Sequence, residues 1–139
     1  MKRKLKIYAI TIIILCFWFV LPSLSSQDST HIIGVSAKEA ADLIDKYKGD
    51  TGFAVLDIRT PGEFQSGHLP GAILIDLYSQ TFFDQLSRLD KEKTFLIYCR
   101  SGNRSTKSLE ILKKLKFRKI YHMSTGIRAW QSEGFGVVK

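Results

Sequence analysis

The chain has 139 residues, 45% of them hydrophobic and 24% charged, which is typical of one soluble globular domain and excludes a largely disordered chain. Two cysteines exclude a disulfide scaffold, and three scattered histidines form no Cys/His cluster for a structural zinc. The net charge is +8, but residues 1–25 carry four of the positive charges and no acid, which leaves +4 on residues 26–139. Such a domain can attract small anions, and we expect no nucleic acid partner.

Residues 1–25 have the order of a secretory signal peptide: basic residues, then an apolar run, then small residues. The apolar run covers Ile7 to Leu21, which is shorter than the roughly 20 residues of a spanning helix. Ser23-Leu-Ser25 offers a cleavage site, so the sequence predicts an exported protein in a periplasmic or other extracytoplasmic compartment. The alternative is an uncleaved N-terminal membrane anchor, since the uncharged stretch continues to Gln27.

The sequence divides into residues 1–25, a polar linker at residues 26–31 and a folded domain at residues 32–139. Cleavage of the signal would leave Cys99 as the single cysteine of the exported domain. Because oxidising compartments usually use cysteines in pairs, a solitary exported thiol is a candidate reactive group.

Apolar runs and capping signals predict strands that alternate with helices. Predicted strands are His31–Ile33, Phe53–Asp57, Ala72–Ile75, Thr94–Tyr98 and Lys119–His122. Capping boxes at Ser36 and Thr60 start two helices, and helical spacing predicts three more at Ser79–Leu89, Ser105–Leu115 and Ile127–Glu133. This alternation indicates an α/β fold with an open parallel sheet and helices on both faces. Ligands of such sheets bind beyond the carboxyl ends of the strands.

The loop after Tyr98 is the main candidate for a functional site. It reads Cys99-Arg-Ser-Gly-Asn-Arg-Ser105 and leads directly into a predicted helix. Backbone N–H groups of a tight loop can form an anion-binding nest, and a helix N-terminus adds partial positive charge. Arg100 and Arg104 add two formal charges, so we expect the pKa of Cys99 to lie below its unperturbed value of about 8.5.

The same loop is predicted to hold an oxyanion beside the sulfur. Two of its residues, the glycine and the asparagine, are types that tolerate positive φ, which a tight cradle often needs. The candidate binding residues are Arg100, Ser101, Gly102, Asn103 and Arg104. The alternative is a buried cysteine in a loop that only turns the chain, and the charges and the helix start count against it.

The loop resembles the active-site loop of the rhodanese family of sulfurtransferases, specifically of its single-domain, exported members. The resemblance spans about residues 32–138 and includes, in order, Val55-Leu-Asp-Ile-Arg59, Glu63-Phe64, Gly67-His-Leu-Pro-Gly-Ala-Ile73 and Gly126-Ile-Arg-Ala-Trp130. It implies a five-stranded parallel sheet with helices on both sides, in agreement with the pattern of strands and helices. One departure is Thr125, which stands where many relatives have a glycine.

The resemblance implies persulfide chemistry at Cys99, which would be the catalytic residue. The thiolate would take the outer sulfur of a donor such as thiosulfate, and a second nucleophile, cyanide or a thiol, would remove it. This chemistry needs no metal and no organic cofactor. Its partners would be a small anionic sulfur donor and a thiophilic acceptor, which can be a protein. Some thiosulfate-specific relatives have lysine where Ser101 stands, so the donor is left open between thiosulfate and other persulfides or polysulfides.

Asp57 and Arg59 follow the second predicted strand, at the sheet edge where Cys99 is expected. Arg59 is a candidate ligand for the anionic donor, with Asp57 in support. The alternative, which we favour, is that Asp57 orders the turn and Arg59 pairs with Glu63. We interpret His68 as a structural residue of the following turn, because an activated thiolate needs no general base.

Other functions remain open at this stage. A cysteine-dependent phosphatase uses a similar cradle, but its loop is one residue longer between cysteine and arginine than the loop from Cys99 to Arg104. Arsenate reduction shares the thiol and oxyanion chemistry. A non-catalytic rhodanese-like binding module usually lacks the cysteine, whereas a sulfur carrier with one protein partner would have the same residues as an enzyme.

Overall fold

Five parallel strands form one sheet in the computed structural model, which describes residues 29–139. The strands are β1 (His31–Val35), β2 (Phe53–Asp57), β3 (Ala72–Leu74), β4 (Thr94–Tyr98) and β5 (Lys119–Met123). Their order across the sheet is β1-β5-β4-β2-β3, and every neighbouring pair is parallel. The predicted α/β fold with a five-stranded parallel sheet is confirmed.

Five helices cover the sheet within residues 29–139; four of them connect consecutive strands and the last one follows β5. They are α1 (Ala37–Lys46), α2 (Pro61–Gln65), α3 (Phe82–Ser87), α4 (Asn103–Lys114) and α5 (Gly126–Ser132). Both predicted capping boxes are present, and each serine or threonine side chain accepts a hydrogen bond from the backbone N–H three residues later. The second box starts α2 directly after β2, which brings the first turn of α2 to the carboxyl edge of the sheet.

The central strand β4 is buried on both faces. Phe95 and Ile97 belong to a hydrophobic cluster with α3 and α4, whereas Leu96 and Tyr98 belong to a second cluster with α1 and α5. Fully burying a large apolar side chain contributes about 1.5–3 kcal/mol. Side chains that anchor the strand on both faces therefore fix its carboxyl end, where Cys99 follows.

Some element boundaries differ from the predictions. The helix predicted at Ser79–Leu89 is limited to α3, whose N-cap residue makes no side-chain capping bond. The helix predicted from Ser105 begins two residues earlier, because Gly102 adopts a left-handed conformation and its carbonyl accepts from Thr106 N–H at 2.8 Å. β1 begins at His31, so the predicted linker overlaps it by one residue.

The predicted signal peptide, residues 1–25, lies outside the described residues. Within residues 29–139, no helix combines the length and the apolar character needed to cross a membrane.

Candidate active site

The carboxyl ends of β2 and β4 lie side by side. Asp57 is the register partner of Tyr98, and Ile58 N–H donates to the Tyr98 carbonyl at 3.2 Å. Asp57 and the Cys99 loop therefore occupy the same edge of the sheet, as the sequence predicted for parallel strands.

The loop from Cys99 to α4 curls around the sulfur. The backbone N–H of Gly102 donates to Cys99 Sγ at 3.2 Å, and the Ser105 hydroxyl lies 3.5 Å from it. The side chain of Cys99 is deeply enclosed, with the residue only 1% exposed. This geometry gives the thiol hydrogen-bond donors from the loop backbone and from the first turn of α4.

The pKa of Cys99 lies below its ordinary value. Burial alone would raise the pKa, but hydrogen bonds from the Ser105 hydroxyl and from the backbone N–H groups of Ser105, Ser101 and Gly102 outweigh it. The lowered pKa agrees with the prediction, which attributed it to the loop N–H groups, the helix N-terminus and the two arginines. The leading stabilising group, the Ser105 hydroxyl, was not among those predicted causes.

Close backbone packing holds the loop in this shape. Gly102 has φ 92°, and a β-carbon there would lie 1.7 Å from the Ser124 carbonyl oxygen. Gly126 has φ 66°, and a β-carbon there would lie 2.5 Å from the Arg100 carbonyl oxygen. Both glycines are therefore required where the loop meets the turn before α5. Thr125 has φ −86°, an ordinary value for any residue, which explains why threonine fits there.

The start of α5 also binds the loop through its backbone. The N–H of Ile127 donates to the Cys99 carbonyl at 2.9 Å, and the N–H of Arg128 donates to the Arg100 carbonyl at 3.1 Å. The segment Gly126–Trp130, part of the family resemblance, therefore has a structural role: its backbone N–H groups hold the carbonyl groups of the Cys99 loop.

Arg104 is held by a bidentate ion pair with Glu63. Its two terminal nitrogens donate to the two carboxylate oxygens, each at 2.7 Å. The pair lowers the pKa of Glu63 to about 2, mainly through the hydrogen bonds from Arg104. The guanidinium also lies over the Tyr78 ring, 5.9 Å from its centroid. Arg104 is thus a fixed positive charge in the first turn of α4.

Arg59 pairs with Asp57 and not with Glu63, so that part of the prediction was wrong. Arg59 Nε donates to Asp57 Oδ1 at 2.9 Å, and Nη2 donates to Asp57 Oδ2 at 2.6 Å and to the Gly67 carbonyl at 2.8 Å. The reason is that Arg104 already engages both carboxylate oxygens of Glu63. Asp57 Oδ1 also accepts from the Arg59 N–H at 2.9 Å, which confirms that Asp57 orders the turn.

The remaining candidates from the loop, Arg100, Ser101 and Asn103, are exposed. A polar crevice of about 290 Å³ lies beside the loop and includes Arg59, Glu63, Arg100, Arg128 and Gln131 in its lining. Ion pairs with neighbouring groups balance Arg59 and Glu63. Arg100 and Arg128 therefore add positive charge to the crevice, and Arg128 is a residue that the sequence did not single out.

His68 is structural, as interpreted from the sequence. Its Nδ1 lies 3.1 Å from the Phe64 carbonyl oxygen, its ring stacks on Phe64 with centroids 3.7 Å apart, and its backbone pairs with Val138. His122 is the histidine near the sulfur. Its Nε2 lies 2.8 Å from Ser105 Oγ, and nothing in its local sequence marks it as part of the site.

Residues 36–133 match the family model of the rhodanese-like domain, and the chain belongs to that family. It is 31% identical to a sulfurtransferase of Allochromatium vinosum over 84 residues, which cover 60% of this chain and 77% of that protein. It is 30% identical to the "Probable adenylyltransferase/sulfurtransferase MoeZ" of Mycobacterium tuberculosis over 99 residues, 71% of this chain. That match spans only 24% of the length of MoeZ.

The fold is also similar to solved structures. A rhodanese-related protein from Thermoplasma volcanium superimposes with a TM-score of 0.64 at 26% identity, over 76% of this chain and 97% of that chain. The resemblance expected from the sequence is confirmed, and the chain is a member of a sulfur-transfer family.

Proposed function

We propose that the protein is a sulfurtransferase that carries sulfane sulfur as a persulfide on Cys99 and passes it to a thiophilic acceptor. The observation that carries this proposal is the environment of the thiol at the end of the central strand. The Gly102 N–H donates to Sγ at 3.2 Å, the Ser105 hydroxyl lies 3.5 Å from Sγ, and the pKa of Cys99 is lowered. A thiolate is the nucleophilic form of cysteine, so the site needs no separate base.

The reaction has two displacements at sulfur. The Cys99 thiolate attacks the outer sulfur of thiosulfate, the S–S bond of the donor breaks, and sulfite leaves with the electron pair. The acceptor, cyanide or a thiolate, then attacks the outer sulfur of the persulfide. The Cys99 sulfur leaves with the electron pair of that bond, which regenerates the thiolate.

The donor in this proposal is a small anion. Arg100 and Arg128 add positive charge to the crevice beside the loop, and Arg104 is a fixed charge at the start of α4. Loop N–H groups can stabilise the negative persulfide in the same way as the thiolate. Thiosulfate, polysulfides and other persulfides all have the required charge and S–S bond.

The acceptor can also be a protein, in which case the chain acts as a sulfur carrier.

We further propose that the protein is exported under the direction of residues 1–25, as their signal-peptide pattern predicts. The intact mass of the protein from its native host distinguishes cleavage after Ser25 from retention of an anchor.

Persulfide formation on Cys99 is the test of this function. After incubation of the full chain with thiosulfate, we expect the tryptic peptide 94–100 to gain the mass of one sulfur atom, and cyanide to remove it. Cys99→Ser should abolish the gain, because serine nearly preserves the size but lacks the thiol. Cys16→Ala is the matched control and should react like the wild type.

Three outcomes would contradict the proposal. Release of phosphate from an aryl phosphate without a persulfide would favour the phosphatase, and reduction of arsenate would favour the reductase. A reduced Cys99 that accepts no sulfur from thiosulfate or from polysulfides and shows neither of these activities would favour the non-catalytic binding module.

A further inference from the structure

The Ser105 hydroxyl lies among three hydrogen-bond partners, although it has one proton to donate. Its oxygen is 3.5 Å from Cys99 Sγ, 3.0 Å from the Gly102 carbonyl oxygen and 2.8 Å from His122 Nε2. A hydroxyl donates once and accepts through two lone pairs. The thiolate and the carbonyl can only accept, so the role of His122 decides whether the proton is available to the sulfur.

The Gly102 carbonyl does not depend on the Ser105 proton. It accepts hydrogen bonds from the N–H of Thr106 at 2.8 Å and from the Thr106 hydroxyl at 2.9 Å. These two donors can satisfy both lone pairs of a carbonyl oxygen. A charged acceptor also forms the stronger hydrogen bond, so the Ser105 proton is better used on the thiolate.

His122 is suited to donate to the Ser105 oxygen. It lies on β5 opposite Ile97 and is only 6% exposed. Burial lowers the pKa of His122, so its ring is neutral at neutral pH and carries one N–H. Within residues 29–139, Ser105 is the group to which the ring is hydrogen-bonded. When the ring proton is on Nε2, the single N–H of the neutral ring therefore has the Ser105 oxygen as its hydrogen-bond partner.

We propose that His122 is a positioning residue for Cys99: its Nε2–H donates to the Ser105 oxygen and thereby directs the Ser105 O–H toward the thiolate. The inference rests on the proposed function and deepens it, because sulfur transfer requires the thiolate. No hydrogen bond joins His122 to the sulfur among the described residues, so it acts through Ser105. Arg104 on α4 is a charged group that interacts electrostatically with the sulfur. Lys119, Tyr121 and His122 are the titratable residues of β5, and of these His122 is the one hydrogen-bonded to Ser105.

The test is the pH profile of Cys99 alkylation by iodoacetamide in the full chain. The tryptic peptide 94–100 has Cys99 as its single cysteine, so mass spectrometry separates this reaction from that of Cys16. The midpoint of the profile reports the thiol pKa without any sulfur donor. An unchanged midpoint in the His122 variants would therefore overturn this inference without contradicting the proposed function, because persulfide formation is tested in a separate experiment.

His122→Leu removes the donor, and we expect the midpoint to rise by about half to one pH unit, as for the loss of one ordinary hydrogen bond. His122→Gln puts an amide N–H near the position of Nε2 and should restore the wild-type midpoint. His122→Asn is the matched polar control, since its shorter side chain does not reach Ser105 and should behave like leucine.

The Ser105→Ala background separates positioning from a general structural effect. There, His122→Leu should cause no further shift of the midpoint, because the hydroxyl that it directs is gone. The proposal would be overturned if both the leucine and asparagine variants kept the wild-type midpoint. It would also be overturned if the leucine variant shifted the midpoint equally with and without Ser105.

Discussion

Glu63 connects two helices through a single carboxylate. Its Oε2 accepts from the Thr60 N–H and hydroxyl, both at 3.1 Å, which closes the capping box of α2. The same carboxylate binds both terminal nitrogens of Arg104 in the first turn of α4. A capping box therefore also immobilises the positive charge next to the Cys99 loop, a role that its local sequence pattern does not reveal.

Glu63→Gln should lower the free energy of unfolding in a pH-dependent way. The folded-state pKa of about 2 lies below the ordinary 4.5, so the ionised carboxylate stabilises the fold above about pH 4.5. The stabilisation by the ionised Glu63 carboxylate is lost as the pH falls from about 4.5 toward 2. Because the pair is partly exposed to solvent, we expect a difference from wild type of about 1 kcal/mol at pH 7.

Urea unfolding of both proteins between pH 2 and 7 measures that difference. Glu110→Gln is the control, since its pair with Lys113 is exposed and local to α4. A Glu63→Gln effect that stays constant from pH 7 to 2 would contradict the assigned ion pair.

Two backbone elements are interlocked at the site: the Cys99–Ser105 loop and the turn that leads into α5. Gly102 and Gly126 allow the two backbones to approach more closely than any side chain permits. Hydrogen bonds from Ile127 and Arg128 to the loop carbonyls then fix their relative position. The thiol environment thus depends on an element about 25 residues away in the chain, not only on the loop itself.

Gly102→Ala should destabilise the protein by about 3 kcal/mol or more and remove persulfide formation, since left-handed strain adds to a collision with the Ser124 carbonyl. Gly134→Ala is the matched control, because Gly134 has a similar φ of 86° with open space around it. That variant should lose about 1–2 kcal/mol from backbone strain and keep its activity. Thermal melting and the sulfur-loading assay measure both effects, and equal losses in the two variants would contradict the interlocking.

Elements with strong local signals could be predicted, and features that depend on tertiary contact could not. The strand at Phe53–Asp57 and the capping box at Thr60 have local signals. The strand has its predicted bounds, and the helix begins at Pro61 as predicted. The start of α4 was missed because Gly102, without a capping side chain, makes the turn through its φ. The tight loop after Cys99 predicted that backbone N–H groups surround the sulfur. The position of His122 could not be predicted in the same way, because it depends on the pairing of β5 with β4.

At the scale of the whole molecule, charge is distributed unevenly around the site. The excess positive charge of residues 26–139 is only +4. The two carboxylates near the loop, Asp57 and Glu63, are each paired with an arginine. Arg100 and Arg128 therefore give the crevice a positive potential, which attracts a small anion toward the loop.

Arg128→Ala should weaken the capture of an anionic donor without changing the chemistry at Cys99. Arg128 supports the loop through its backbone N–H, which alanine keeps, so only the charge is removed. We expect KM for thiosulfate to rise about two- to fivefold at low salt with kcat nearly unchanged, which is the size of an exposed charge interaction. The effect should shrink at high ionic strength, because salt screens exposed charges.

Lys114→Ala, which removes an exposed charge from the far end of α4, is the control and should leave KM near the wild-type value. A fall in kcat with unchanged KM would instead assign Arg128 to the support of the loop.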